Sequence, residues 1–180
     1  MKPNKKHKDS VAAIQDEIDI LKEHLIKKLK RMAVPMVQVE FSRENYNNLF
    51  PDSKVTTPIG VIKLGGHQFK KLESEKRQEY LGGMYQTLTD PVTITNQEDQ
   101  KGKAKIFSKS FIHKSKEKDG IISVIVDIGG QNVSISTHPR KLKKIIEEIK
   151  KTADLIYEKP ESGRTAGNDP KDLTNNDTQL

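Results

Sequence analysis

The residues best suited to chemistry in this sequence lie in one short segment, VSISTHPR. Ser134, Ser136 and His138 occupy alternate positions there, and Arg140 follows two residues later. A β-strand directs alternate side chains to the same face, so the pattern predicts two hydroxyls and an imidazole on one surface. In a chain with 32% charged residues, a solvated strand face ordinarily carries Lys and Glu. We therefore interpret this face as part of a functional site.

Two β-branched runs around a Gly-rich turn position this segment. The run that begins at Ile121 stops at Gly129-Gly130, and the second run starts at Val133, which is typical of a β-hairpin. The predicted strands lie at about 92–95, 104–112, 121–128 and 133–137. The sequence thus predicts an α+β fold: a small four-stranded antiparallel sheet with helices packed on one face, plus an N-terminal helix.

The N-terminal helix is predicted over residues 10–32. Ser10 is a suitable N-cap, and apolar residues follow in a heptad-like stripe that Lys28 interrupts. Such a stripe fits a surface or linker helix. It also fits a coil that mediates self-association or binds a partner, and the sequence leaves both interpretations open.

Composition divides the chain into three parts. Residues 1–35 are a basic N-terminal extension with the amphipathic helix, 36–157 are the folded domain, and 158–180 are a polar tail that is predicted to be disordered. Within the domain, Gly82-Gly83 is expected to interrupt a helix, and Pro139 suits the first turn of the last helix.

Composition also excludes several kinds of site. The absence of Cys excludes disulfides, thiolate zinc sites and a cysteine nucleophile. The five His lack the spacing of a zinc site, so no metal and no cofactor is predicted, and His7, His24 and His113 are interpreted as incidental. No apolar segment approaches the ~18 residues of a membrane span, so we predict no membrane partner and a cytoplasmic location. The net charge of +7 favours polyanionic partners.

Four segments in order carry a resemblance to a known family. They are TPIGVIKLGGHQFKKL, YLGGMYQTLTDPVTI, KIFSKSF and VSISTHPRKLKKIIEEIKK, and they span residues 57–151. Together they resemble the phage-associated branch of the barnase/EndoU/colicin/RelE-like (BECR-fold) nucleases. The resemblance implies a metal-independent ribonuclease of phage or prophage origin, often of the toxin type, with helices on a four-stranded antiparallel sheet.

The resemblance also implies roles for individual residues. The family's helix-associated histidine corresponds to His67, and its lysine-bearing strand places Lys109 as the best candidate cation. The implied catalytic residues are His67, Ser136 and His138. The implied substrate- or phosphate-binding residues are Lys109, Ser134 and Thr137. The chemistry itself adds Arg140 as a phosphate-binding residue, and Thr93 and Thr95 are expected to line the same face. No glutamate is evident on the predicted active strand face, so the general base and the general acid remain unassigned.

Metal-free RNA cleavage proceeds by attack of the ribose 2′-hydroxyl on the adjacent phosphorus. It needs a base, an acid and groups that stabilise the phosphoryl oxygens. Imidazole suits the proton transfers, and Arg140 and Lys109 suit the phosphate. The expected partners are RNA, with tRNA among the candidates, and an immunity or antitoxin protein. The protein would then act in the cytoplasm or be delivered with a phage particle.

Two other functions fit the same sequence. The first is a non-catalytic RNA- or DNA-binding module that uses the same basic face. The second is a phage structural or assembly protein in which the fold is only an interaction platform and the N-terminal helix is the working part.

Overall fold

The computed structural model describes residues 5–99, 102–113, 120–129, 132–137 and 139–161. The helices are α1 (Lys5–Arg31), α2 (Arg43–Leu49), α3 (Gln68–Ser74), α4 (Leu81–Thr89) and α5 (Pro139–Glu147). The strands are β1 (Lys54–Thr57), β2 (Gly60–Lys63), β3 (Thr93–Asp99), β4 (Gly102–His113), β5 (Gly120–Gly129), β6 (Asn132–Thr137) and β7 (Leu155–Glu158). The predicted α+β class, with its antiparallel sheet and N-terminal helix, is confirmed.

The main sheet has the strand order β6-β5-β4-β3-β7, and all its pairings are antiparallel. Its first four strands are the four predicted from alternation, and the predicted hairpin joins β5 to β6. The structure adds β7, which pairs Glu158 with Thr93 at the edge of β3. The tail predicted to start at residue 158 therefore begins inside a strand. In β7 the apolar residues Leu155, Ile156 and Tyr157 follow one another without alternating polar residues, so the strand period does not reveal it.

One face of the sheet packs against α2, α3 and α4. Phe107, Phe111 and Val126 from this face are buried in a core that includes Leu72 of α3 and Met84 of α4. We call it the α4 face. Its apolar side chains alternate with polar ones along the strands, as a sheet with two unlike faces requires.

The opposite face is covered by α1 and α5. Ile106 lies in a second core with Leu25 and Leu29 of α1 and with Leu142 and Ile146 of α5. We call it the α1 face. The sequence predicts helices on one face of the sheet only. In the structure α5 packs beside α1 on the opposite face, so there is one layer of helices on each side of the sheet.

The apolar stripe of α1 is used inside the molecule from its middle onward. Ile18, Leu25 and Leu29 are buried, whereas Val11 and Ile14 are exposed. Lys28, which interrupts the stripe in the sequence, is buried as well. Over this length α1 is therefore a docked helix of the domain rather than a free coil.

An extended segment, residues 33–41, connects α1 to α2 and crosses α4. Val34 forms a parallel bridge with Phe111 beyond the end of β3. A Cβ atom added to Gly82 would lie 2.0 Å from the carbonyl oxygen of Val37, so the crossing requires glycine. The prediction that Gly82-Gly83 interrupts a helix is wrong, because both residues lie inside α4. The glycines allow close approach of another chain segment instead.

Candidate active site

The serines of β6 lie where the alternation predicts. Ser134 and Ser136 are half-buried on the α1 face, opposite the buried Val133 and Ile135, and β6 is an open edge of the sheet. Thr137 pairs with Val124 through its backbone. The backbone of Arg140 lies in the first turn of α5. The side chains of Thr137 and Arg140, and His138 as a whole, lie outside the described part of the structure.

His67 lies on the other side of the sheet from these serines. It is the exposed residue that precedes α3, and its side chain forms no capping hydrogen bond. α3 packs on the α4 face through Leu72, whereas the side chain of Ser136 lies on the α1 face. The structure does not bring these two predicted catalytic residues together.

Lys109 is buried in an ion-pair network. Its ammonium donates hydrogen bonds to the backbone oxygen of Asp90 at 2.7 Å and to Oδ2 of the same residue at 3.0 Å. Lys159 donates to that Oδ2 atom at 2.7 Å. Burial lowers the pKa of Lys109, although the hydrogen bond to Asp90 opposes this effect. With a side chain only 3% exposed, Lys109 holds Asp90 in place and is closed to an incoming phosphate.

Thr93 and Thr95 are buried beneath the α1 layer. Thr93 pairs with Ser108 on one side and with Glu158 on the other, so the three lie in one row across the α1 face. The hydroxyls of Thr93, Thr95 and Ser108 have no hydrogen-bond partner among the described residues. Their burial places them behind the accessible surface rather than on it.

Glu158, the last residue of this row, is partly exposed and belongs to a cluster of charged residues between α1 and β7. His24 Nε2 lies 2.7 Å from Oε2 of Glu158, and the Lys28 ammonium lies 2.7 Å from the same oxygen. The side chain of His24 is 45% exposed and that of Glu158 is 28% exposed, whereas only 3% of Lys28 is exposed. The carboxylate therefore has a buried cation behind it and an accessible imidazole in front.

A second carboxylate extends the cluster. Arg31 forms an ion pair with Glu161, and Lys28 lies 3.8 Å from the same carboxylate. We call His24, Lys28, Arg31, Glu158 and Glu161 the α1–β7 cluster. Its three basic residues follow one another at spacings of four and three, which places them on one face of α1.

Electrostatics keep Glu158 ionised. Burial raises the pKa of its carboxyl group, but hydrogen bonds from Lys28 and His24 and their positive charges lower it by more. The net result is a pKa below the ordinary value of 4.5. At neutral pH the imidazole of His24 therefore faces a carboxylate, which favours a protonated Nε2 atom that donates to Oε2.

The sequence interpretation missed both members of this pair. His24 was interpreted as incidental, and Glu158 was assigned to the tail. The spacing of His24, Lys28 and Arg31 on one helix face is visible in the sequence. Their carboxylate partner is not, because it comes from a strand more than a hundred residues later whose pairing has no local signature.

The cluster combines an accessible imidazole, a carboxylate and an exposed guanidinium, which are groups suited to acid–base chemistry and to phosphate binding. Among the described residues, no group of three or more His, Cys, Asp or Glu side chains is arranged to hold a metal ion. None of the described helices is long and apolar enough to cross a bilayer. Comparison with protein-family models, with curated proteins and with solved structures finds no match to this chain.

Proposed function

We propose that this protein is a metal-independent RNA endonuclease whose general base is His24, oriented by Glu158. The observation that carries the proposal is the 2.7 Å contact between His24 Nε2 and the Glu158 carboxylate, with the imidazole accessible to solvent. A carboxylate that binds one ring nitrogen holds the imidazole in one tautomer and one orientation. The α+β class with an antiparallel sheet, which the family resemblance implies, also supports the proposal.

The proposed reaction uses the ring nitrogen that Glu158 does not contact. Nδ1 of His24 accepts the proton of a ribose 2′-hydroxyl, and the 2′-oxygen forms a bond to the adjacent phosphorus. The bond between phosphorus and the 5′-oxygen breaks, and that oxygen takes a proton from a water molecule, which in turn takes the proton back from Nδ1 of His24 and so restores the neutral ring. The products are a 2′,3′-cyclic phosphate and a free 5′-hydroxyl.

Arg31 is the cation best placed for the phosphate. Its side chain is 53% exposed and forms an ion pair with Glu161. A phosphate can replace the Glu161 carboxylate as the partner of this guanidinium. A guanidinium presents two parallel donors to phosphoryl oxygens, which suits the charge that develops there during attack. Lys28 is too buried to reach a substrate and instead supports the Glu158 carboxylate.

A non-catalytic nucleic-acid-binding module is the second candidate function. The intramolecular partners of Lys28, Arg31, Glu158 and Glu161 favour a structural role of these residues over catalysis, and the net charge of +7 favours a polyanionic ligand. Such a closed network also serves to fasten α1 to β7. Phage or prophage origin, a toxin role, an immunity partner and the cellular location remain predictions from the resemblance and the composition.

Incubation of the purified chain with total RNA in excess EDTA separates the two candidates. The ribonuclease predicts discrete fragments from the parent chain and at least a hundredfold slower cleavage by a His24→Ala variant, since acid–base catalysis contributes about 10²–10⁴ in rate. Glu23→Gln is the matched control, because Glu23 is an exposed neighbour on α1 that pairs only with Lys27 in the described structure. RNA that is bound but left intact by the folded parent chain would support the binding module.

A further inference from the structure

A largely apolar groove lies between α4 and the extended segment 33–41. It has a volume of about 430 Å³, and Val37, Val39, Leu49 and Tyr85 form much of its wall. The side chain of Gln86 fixes the segment over α4, because it accepts from the backbone nitrogen of Val37 and donates to the carbonyl oxygen of Pro35. The groove is therefore a built feature of the fold.

One end of the groove is charged. Asp90 and Lys109 line it, and Lys159 lies 2.7 Å from Oδ2 of Asp90. Two ammonium groups and one carboxylate leave this end with a net charge of +1. The side chain of Asp90 is 49% exposed, so its carboxylate retains acceptor capacity toward solvent.

Lys159 connects the charged end to the α1–β7 cluster. It follows Glu158 in the chain, and its backbone oxygen accepts a hydrogen bond from the Lys28 ammonium. Its own ammonium forms an ion pair with Asp90. Lys159 therefore contacts both the charged end of the groove and the α1–β7 cluster.

We propose that this groove binds one unpaired nucleobase of an RNA strand whose adjoining phosphate lies at the α1–β7 cluster. The inference rests on the proposed ribonuclease function and identifies its substrate as single-stranded RNA. An unstacked base has an apolar face and a polar edge, and proteins commonly bind such bases between apolar or aromatic side chains.

The dimensions and the charge both suit this occupant. A volume of about 430 Å³ lies near the lower end of the range for small-molecule sites, which admits one nucleoside and excludes a base pair. The Asp90 carboxylate accepts hydrogen bonds from ring or exocyclic N–H groups of a base. Lys159 attracts the sugar-phosphate backbone, which an uncharged apolar ligand lacks.

Nuclear magnetic resonance titration with mononucleotides tests the groove directly. The probes are the 5′-monophosphates of adenosine, guanosine, cytidine and uridine, with ribose 5-phosphate as the probe that lacks a base. We expect at least one nucleotide to shift the backbone amide signals of Val37, Val39, Leu49 and Gln86, and ribose 5-phosphate to leave them unchanged. Equal shifts with ribose 5-phosphate, or none with any nucleotide, would overturn the inference.

A variant that fills the groove provides the matched test. Val37 is 54% exposed at the groove, so Val37→Trp adds an indole there without enlarging the core, and nucleotide binding should weaken at least tenfold. Val61→Trp is the control, because Val61 is 64% exposed on β2. Thermal unfolding establishes that both variants fold. Unchanged affinity in folded Val37→Trp protein would contradict the assignment.

A short single-stranded RNA oligonucleotide tests whether the groove binds a base that belongs to an RNA strand rather than to a free nucleotide. It should compete with the bound mononucleotide and bind more tightly, because phosphates on both sides add contacts. Failure to compete would overturn the assignment to an RNA strand. Cleavage in EDTA is measured separately: binding without cleavage refutes the nuclease alone, and cleavage without groove shifts refutes the groove alone.

Discussion

At the scale of single residues, two carboxylates stabilise the molecule by binding lysines from other elements. Glu158 binds Lys28 of α1, and Asp90 binds Lys109 of β4 together with Lys159. In both carboxyls burial raises the pKa, but the neighbouring cations and their hydrogen bonds lower it by more. Each group is therefore a stronger acid in the folded protein than in the unfolded chain.

The lowered pKa values predict a loss of stability in acid. A depressed pKa contributes stability that is fully present above the unfolded values of 4.5 for Glu158 and 3.8 for Asp90. It is lost as the pH falls through these values toward the lower folded ones. Urea unfolding at a series of pH values measures the effect. An Asp90→Asn/Glu158→Gln double variant should show a shallower dependence below pH ~5, and an identical dependence would contradict the assignment.

Loss of the Asp90 charge should destabilise the fold. Asp90→Asn leaves the buried Lys109 ammonium without its counter-charge, and removing one partner of a buried pair is strongly destabilising. Because Asp90 itself is half exposed, we expect a reduced effect of about 2 kcal/mol in the free energy of unfolding. Asp16→Asn, at an exposed position on α1, is the control and should change stability by less than about 0.5 kcal/mol. Equal stability of the two variants would show that Lys109 does not need Asp90.

Local alternation explains which site residues the sequence predicts correctly. The period of β6 places Ser134 and Ser136 on the face opposite Val133 and Ile135, and the structure agrees. The contact between His24 and Glu158 joins residues 134 positions apart, so no local pattern encodes it. The same reason explains the burial of Lys109, whose partner Asp90 directly follows α4.

At the scale of elements, the crossing of α4 by the segment 33–41 depends on one glycine. Gly82→Ala places a methyl group 2.0 Å from the backbone oxygen of Val37, which cannot move without shifting the segment. Overpacking of this kind costs about 1–3 kcal/mol, more than the gain of about 1 kcal/mol from the helix propensity of Ala. Gly66→Ala is the control, because no atom lies within 4 Å of an added Cβ there. Denaturant unfolding of both variants measures the difference, and equal stability would contradict the close crossing.

The docking of α1 predicts the state of association. Leu25 and Leu29 are buried within the chain, so the part of the stripe that would form a coiled coil is already occupied. We expect a monomer at micromolar concentration by light scattering coupled to size-exclusion chromatography. A dimer that a Leu25→Asp substitution dissociates would instead show that α1 self-associates. A dimer that depends on the exposed Val11 and Ile14 would leave the docking intact.

The sequence predicts the elements better than their arrangement. Alternation and turn residues indicate four strands and the hairpin, because those signals are local. Neither β7 nor the return of α5 to the α1 face has such a signal. The positions of β7 and α5 depend on which surface of the sheet remains uncovered after the other elements have packed. The layer of helices on the α1 face results from this packing.

At the scale of the whole molecule, Lys159 contacts both the α1–β7 cluster and the charged end of the groove. The net charge of +7 favours the approach of a polyanion, and phosphate contacts should make RNA affinity fall linearly with salt on a logarithmic scale. Neither property distinguishes binding from cleavage. The chemistry of the products does.

The central claim is that the chain cleaves RNA through the 2′-hydroxyl without a metal. The most direct test incubates matched RNA and DNA oligonucleotides with the purified chain in excess EDTA and identifies the fragment ends by mass spectrometry. The account predicts that RNA is cleaved and DNA is not, and that the fragments carry 2′,3′-cyclic phosphate and 5′-hydroxyl ends. It predicts that the His24→Ala variant produces no such fragments. Intact RNA with folded protein, fragments with 5′-phosphate ends, or equal cleavage of DNA would contradict it.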